Sequence, residues 1–319
     1  MCARHSGTGA FVFPVHEHEP GRESHLTIHR VLELCSYFDE LSEPARPAPL
    51  KHPQERLPSA RPAERSIAPV SGYRCSAAPP GPGAPIRVYC LPHAGGSADA
   101  YRNWMRFPGP PGVIFVPVEL PGRGSRRDEP PPCEVAEALR GLLAELAGRP
   151  PEEPFALLGH SMGAQLAYES ARLLARAGRP LPQLLVVSGS RPIGATDRDG
   201  LHGDLSDEAL IDRLRRLGGT PTEVLRHRGL RRLVLATMRV DLNLLSGYAA
   251  RVRPEPVACP ILALGGDADP LAPPELTAAW RALTDSAFWH RVYPGGHFFL
   301  HEHRTAIIEQ IRATLATVW

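Results

Sequence analysis

From Ile86 onward the chain alternates short apolar runs with stretches whose apolar residues recur every three or four positions. The run IRVYCL reads as a buried strand, followed by the turn HAGGSA and a helix over residues 101–106. VIFVPVEL, residues 113–120, predicts a second strand, and residues 133–148 a helix. A third strand at 155–158 leads directly into a helix from Ser161 to Ala177, and a fourth strand spans 183–188.

Residues 201–252 break this rhythm, because only helical periodicity is present, with breaks at 218–221 and at Gly229. Alternation then resumes with a strand at 260–265, a helix at 273–283, a strand at 288–293 and a closing helix over 299–316. Strands separated by helices imply right-handed crossovers and a mostly parallel sheet covered by helices on both faces. The expected fold class is therefore α/β, with a domain over 85–319 and a helical insertion at about 201–252. Sites in such sheets lie at the carboxyl ends of the strands.

Residues 1–84 have a different character. Eleven prolines fall between Leu41 and Pro85, with few large apolar side chains, too little to offset chain entropy. This leader is expected to be disordered apart from one short amphipathic helix over residues 26–41.

Composition narrows the function only a little. A net charge of +2 over 319 residues gives no reason to expect a nucleic-acid or membrane partner. No apolar run approaches the roughly 18 residues of a membrane span, and no secretory signal opens the chain. Six cysteines lie scattered without paired spacing, so reduced thiols and a cytoplasmic location are expected.

Chemistry concentrates in four places. Gly159-His160-Ser161-Met162-Gly163 stands between a strand and a helix, where G-x-S-x-G forms a strained turn that exposes the serine hydroxyl. A hydroxyl needs a base, and the base needs a carboxylate that fixes its tautomer. His297, in Gly295-Gly296-His297 after the last strand, is the candidate base. For the acid, Asp267 and Asp269 both follow the preceding strand; Asp269 is preferred because Pro270 stiffens its position, while Asp267 is placed to cap the turn. An oxyanion hole requires two aimed donors. The N–H of Met162 supplies one, and the loop 92–96 supplies the other, with Ala94 preferred over His93.

Other clusters carry less. The pairs His16/His18 and His301/His303 have no third ligand nearby, so no metal site is expected. Arg123, Arg126 and Arg127 are read as a solvated cluster rather than as a binding surface.

These motifs resemble the type II thioesterases that accompany polyketide and nonribosomal peptide synthetases. The resemblance covers residues 86–319. It rests on LPHAGGSADAYRNW, VELPGRGSR, LLGHSMGAQLAYE, LSDEALIDRLRRLGGTP, MRVDLNLLSGY, LGGDADPLAP and PGGHFFLHEH. It implies an α/β-hydrolase fold with nucleophile Ser161, base His297, acid Asp269 and oxyanion donors Ala94 and Met162. It further implies a lid over an acyl channel, with Leu235, Met238, Leu242 and Leu245 as candidate walls. The implied partner is a carrier protein bearing an acyl-phosphopantetheine arm, met by a monomer that needs no cofactor. Two rival readings use the same residues: an esterase or acyltransferase acting on small molecules, and a binder that shelters acyl carriers without turnover.

Overall fold

The computed structural model describes residues 85–105, 112–193 and 205–318. The leader, its expected helix, Arg106 and the start of the insertion lie outside these residues.

Six strands form one parallel sheet in the order β2-β1-β3-β4-β5-β6. They are β1 Ile86–Leu91, β2 Val113–Pro117, β3 Phe155–His160, β4 Leu184–Ser188, β5 Ile261–Gly266 and β6 Phe288–Tyr293. The second strand stops at Pro117, short of the expected 120, as a residue with no N–H to extend the ladder would dictate.

Alternate residues of each strand enter two separate cores. Tyr89 and Leu91 of β1, Leu157 of β3 and Val187 of β4 face one side. There they meet Leu139, Leu142 and Leu143 of α1 (Val135–Gly148) and Leu166, Leu173 and Leu174 of α2 (Met162–Arg176). Val88, Cys90, Leu158 and Val186 face the other side and meet Ile307, Ile308, Ile311 and Leu315 near the C-terminus. A sheet buried on both faces explains why the strands read as continuous apolar runs rather than as alternations.

The insertion holds α3 (Asp207–Leu217), α4 (Thr222–Arg226) and α5 (Arg228–Arg251). Gly218 at φ 83° and Gly219 at φ 67° end α3 as expected. Gly229 is no break: the chain turns at His227, whose Nδ1 accepts from the N–H of Leu230 and caps α5. Leu210, Leu214, Leu225, Leu235, Met238 and Leu242 give the insertion a small core of its own. Further along α5, Leu244, Leu245 and Tyr248 join the main core, so this helix bridges the two.

Three predicted helices are interrupted. Residues 98–101 form one 3-10 turn where a helix over 101–106 was expected. The helix after β5 is α6 (Pro274–Ala278), followed by a 3-10 turn, Ala279–Leu283. The closing helix splits at His303 into α7 (Phe299–Glu302) and α8 (Arg304–Val318). Among the described cysteines, Cys90 and Cys259 are buried and in no disulfide, whereas Cys133 is disulfide-bonded, against the expectation of reduced thiols throughout. No helix among the described residues is long and apolar enough to cross a membrane.

Candidate active site

Sheet order reverses direction at β1, with β2 on one side and β3 on the other, and a crevice opens there above the strand ends. Ser161 stands at that point, directly after β3. Its backbone has φ 56° and ψ −116°, and it is the only non-glycine with positive φ among the described residues. The flanking glycines show why the turn tolerates nothing larger. A Cβ at Gly159 would fall 2.0 Å from the carbonyl oxygen of Gly163, and one at Gly163 would fall 2.1 Å from that of Leu91. Strain of this kind is retained where the surrounding fold over-determines it.

Three distant side chains meet here. Nε2 of His297 lies 3.0 Å from Oγ of Ser161, and its Nδ1 lies 2.9 Å from Oδ2 of Asp269. An ionised carboxylate only accepts, so Nδ1 carries the proton and Nε2 is left to accept from the serine hydroxyl. The N–H groups of Leu271 and Ala272 donate to the other oxygen of Asp269, at 2.9 and 3.3 Å, and fix the carboxylate. Asp267, expected to cap its turn, instead accepts from the N–H of Gly295 at 2.8 Å and ties the β5 loop to the His297 loop.

Around His297 stand two further imidazoles. The ring of His160 is 5.1 Å from that of His297, and His93 is 6.2 Å from His160. Burial, with neighbouring histidines adding to it, holds His160 well below the usual histidine range; the same causes and Arg123 bring His93 down to about 3. Both rings stay neutral at ordinary pH and place no fixed positive charge beside His297.

In the loop after β1, the N–H of Gly95 is committed to Asp241 and that of Gly96 to the carbonyl of His93. The N–H groups of His93 and Ala94 make no hydrogen bond among the described residues. Met162 opens α2, where the first N–H groups have no carbonyl four residues back. Ala94 and Met162 both line a cavity of about 1100 Å³ that Ser161, His93 and His297 also line.

The insertion supplies much of the cavity's apolar wall, through Val224, Val234, Met238, Leu242 and Leu245. Leu235, expected in that wall, instead packs into the insertion's own core. Its neighbour Val234 lines the cavity.

Reading the three arginines as solvated fails for Arg123. That side chain is 6% exposed and pairs with the fully buried Asp241 of α5. Arg126 pairs with Glu129, and Arg127 is exposed. Asp241 was missed altogether, although the sequence carried a signal: it is the sole acidic residue of α5 and follows Met238 by one helical turn. Of the pair His301 and His303, His303 donates to the carbonyl of Pro294 and His301 stacks on Phe298.

The thioesterase-domain family model matches residues 86–315. This chain belongs to that family. A curated relative, the thioesterase PikA5 of Streptomyces venezuelae, is 39% identical over 233 residues, covering 73% of this chain and 82% of its own. RedJ, a thioesterase from the prodiginine pathway of Streptomyces coelicolor, has a solved structure that superposes with a TM-score of 0.66 at 36% identity. That match covers 76% of this chain and 96% of RedJ. YbtT, a type II thioesterase from the yersiniabactin NRPS/PKS pathway, is 29% identical with a TM-score of 0.65, covering 76% and 97%. The family and the α/β-hydrolase fold together make this thioesterase a serine hydrolase.

Proposed function

We propose that this thioesterase is a type II, editing enzyme that hydrolyses acyl thioesters from the phosphopantetheine arms of acyl or peptidyl carrier proteins in polyketide or nonribosomal peptide assembly. The relay from Asp269 through His297 to Ser161, lining a cavity of about 1100 Å³ that α5 walls with apolar side chains, is the observation that supports it most directly.

In this reading Oγ of Ser161 attacks the thioester carbonyl while Nε2 of His297 takes its proton. Asp269 stabilises the imidazolium and holds its orientation. The carbonyl oxygen becomes an oxyanion and is met by the N–H groups of Ala94 and Met162. Collapse expels the pantetheine sulfur, which takes the proton back from His297. Water then repeats the sequence on the acyl-serine, releasing the acid and restoring Ser161. A thioester has less resonance stabilisation than an oxygen ester and its thiolate departs readily, so no cofactor is required. Residues 205–252 act as the lid of the acyl channel, with Met238, Leu242 and Leu245 as walls. The enzyme works as a cytoplasmic monomer that meets its carrier protein transiently.

The test compares hydrolysis of an acyl carrier protein with that of the matching simple oxygen ester, read by intact mass. Preference for the carrier by at least about a hundredfold in kcat/KM, ~2.7 kcal/mol, is the expected result. Equal rates would point to a small-molecule esterase. Tight carrier binding without turnover would point to a sheltering protein.

A further inference from the structure

We infer that Asp241 and Arg123 form a buried clamp that holds the oxyanion loop in its working position and ties that loop to the acyl-channel helix α5. The inference rests on Ala94 serving as an oxyanion donor.

Asp241 is fully buried, and all of its bonds converge on one place. Its Oδ2 accepts from the N–H of Gly95 at 2.7 Å and from Nη1 of Arg123 at 2.7 Å, while Oδ1 accepts from Nη2 of Arg123. Nη1 of Arg123 also donates to the carbonyl of Gly96 at 3.2 Å. The ion pair therefore grips the peptide N–H directly after Ala94 and the carbonyl one residue further on. The methyl carbon of Met238 lies 3.2 Å from where a Gly95 side chain would begin, so α5 also rests on the loop by packing.

A pair that served only to anchor the fold would bond elements remote from the chemistry. This one spends its remaining hydrogen bonds on the segment that carries the oxyanion donor. A bidentate guanidinium–carboxylate fork adds geometric definition that a single contact lacks. Donors act only when fixed where charge develops, and a displacement near 1 Å costs on the order of a hundredfold in rate. Asp241 and Arg123 are thus positioning residues, acting through the backbone of Ala94. The arrangement also couples channel to chemistry: Met238 and Leu242 share a helix with Asp241, so an acyl chain that shifts α5 shifts the oxyanion loop with it.

The test uses the full chain with Asp241→Leu combined with Arg123→Met, which replaces the pair by apolar side chains of similar length and leaves no lone buried charge. Asp241→Asn accompanies it, since its amide oxygen can still accept from Gly95. Each is assayed for kcat and KM on an acyl thioester and for affinity toward an acyl trifluoromethyl ketone. The hemiketal oxyanion of that ketone, formed on Ser161, occupies the same hole. Thermal unfolding tracks the fold.

For the double variant we expect kcat to fall roughly thirtyfold to hundredfold, with KM within about threefold and ketone affinity falling in proportion to kcat/KM. Asp241→Asn should lose less on both readouts. A double variant that is folded, with kcat and ketone affinity within about threefold of the parent, would overturn the clamp. If the double variant does not fold, Asp241→Asn decides alone: a loss in kcat without a matching loss in ketone affinity, or no loss in either, overturns it. A parent enzyme that cleaves simple esters but not loaded carriers would defeat the proposed substrate. The clamp would then stand or fall on the same ratios measured with the ester.

Discussion

The ring of Phe298 lies so close to Gly219 that a Cβ built at position 219 would fall 2.2 Å from its Cε2. Phe298 follows His297, and Gly219 links α3 to α4. The ring also meets His93 edge-on at 4.9 Å and stacks on His301. The insertion therefore rests on the loop that carries His297.

Gly219→Ala should disturb this contact twice, since the backbone there has φ 67° and the added methyl collides with an aromatic ring. The backbone term alone costs about 1–2 kcal/mol. We expect a comparable loss of stability in urea unfolding and a fall of roughly tenfold or more in kcat/KM. Combining it with Phe298→Leu, which shortens the ring, should recover part of the activity. If the single variant keeps full activity, the contact between insertion and base loop is incidental.

The two aspartates after β5 separate by chemistry. Asp269→Asn offers the His297 ring an amide that can stabilise the wrong tautomer, an effect that cost about 10⁴ in kcat in a serine protease. A drop of roughly 10³–10⁴ is expected here. Asp267→Asn keeps an amide oxygen that can still accept from the N–H of Gly295 and should cost less than about tenfold, with a loss of stability of at most about 1 kcal/mol. Reversal of the two results would show that the carboxylate has been misassigned.

How far the sequence revealed this site depends on how local each signal was. Ser161 was legible because a strand, two obligatory glycines and a helix start all sit within five residues. His297 and Asp269 could be placed because each follows a strand and so reaches the same sheet edge. Asp241 alone carried a signal, but its pairing with Arg123 was not legible: the two are 118 positions apart, and no local pattern distinguishes a buried arginine from a solvated one in PGRGSR. Leu235 was misplaced for a related reason. Helix α5 is apolar around much of its circumference, since it faces its own small core, the cavity and the main core at different turns. Periodicity reports that a face is buried without saying against what.

Stability should fall on mild acidification. His160 and His93 are held below the ordinary histidine value, His93 at about 3 against 6.5. Between those values the unfolded chain binds a proton that the native state refuses. Stability is therefore complete above about pH 6.5 and is lost as pH drops below it, by about 1.4 kcal/mol per pH unit for each such histidine. Urea unfolding at pH 7.5 and 5.5 measures this; burial lowers His290 and His301 as well, so His93→Gln should remove part of the difference and leave the rest. Stability that stays level from pH 7 to 5 would contradict the lowered affinity of these rings for a proton.

The cavity offers a contrast between two leucines on one helix. Leu242 lines the cavity and Leu235 does not, although both are at most 4% exposed. Enlarging Leu242 to Phe fills space that a long acyl chain would occupy. With each methylene worth about 0.8 kcal/mol on burial, kcat/KM for long chains should fall roughly tenfold while short acyl groups are barely affected. Leu235→Ala empties the insertion's own core instead. It should lower stability by about 2–4 kcal/mol and leave the ranking of chain lengths unchanged. A panel of thioesters from two to twelve carbons, taken with unfolding curves for both variants, separates the outcomes. A chain-length shift in Leu235→Ala, or none in Leu242→Phe, would mean that the acyl group lies elsewhere than along α5.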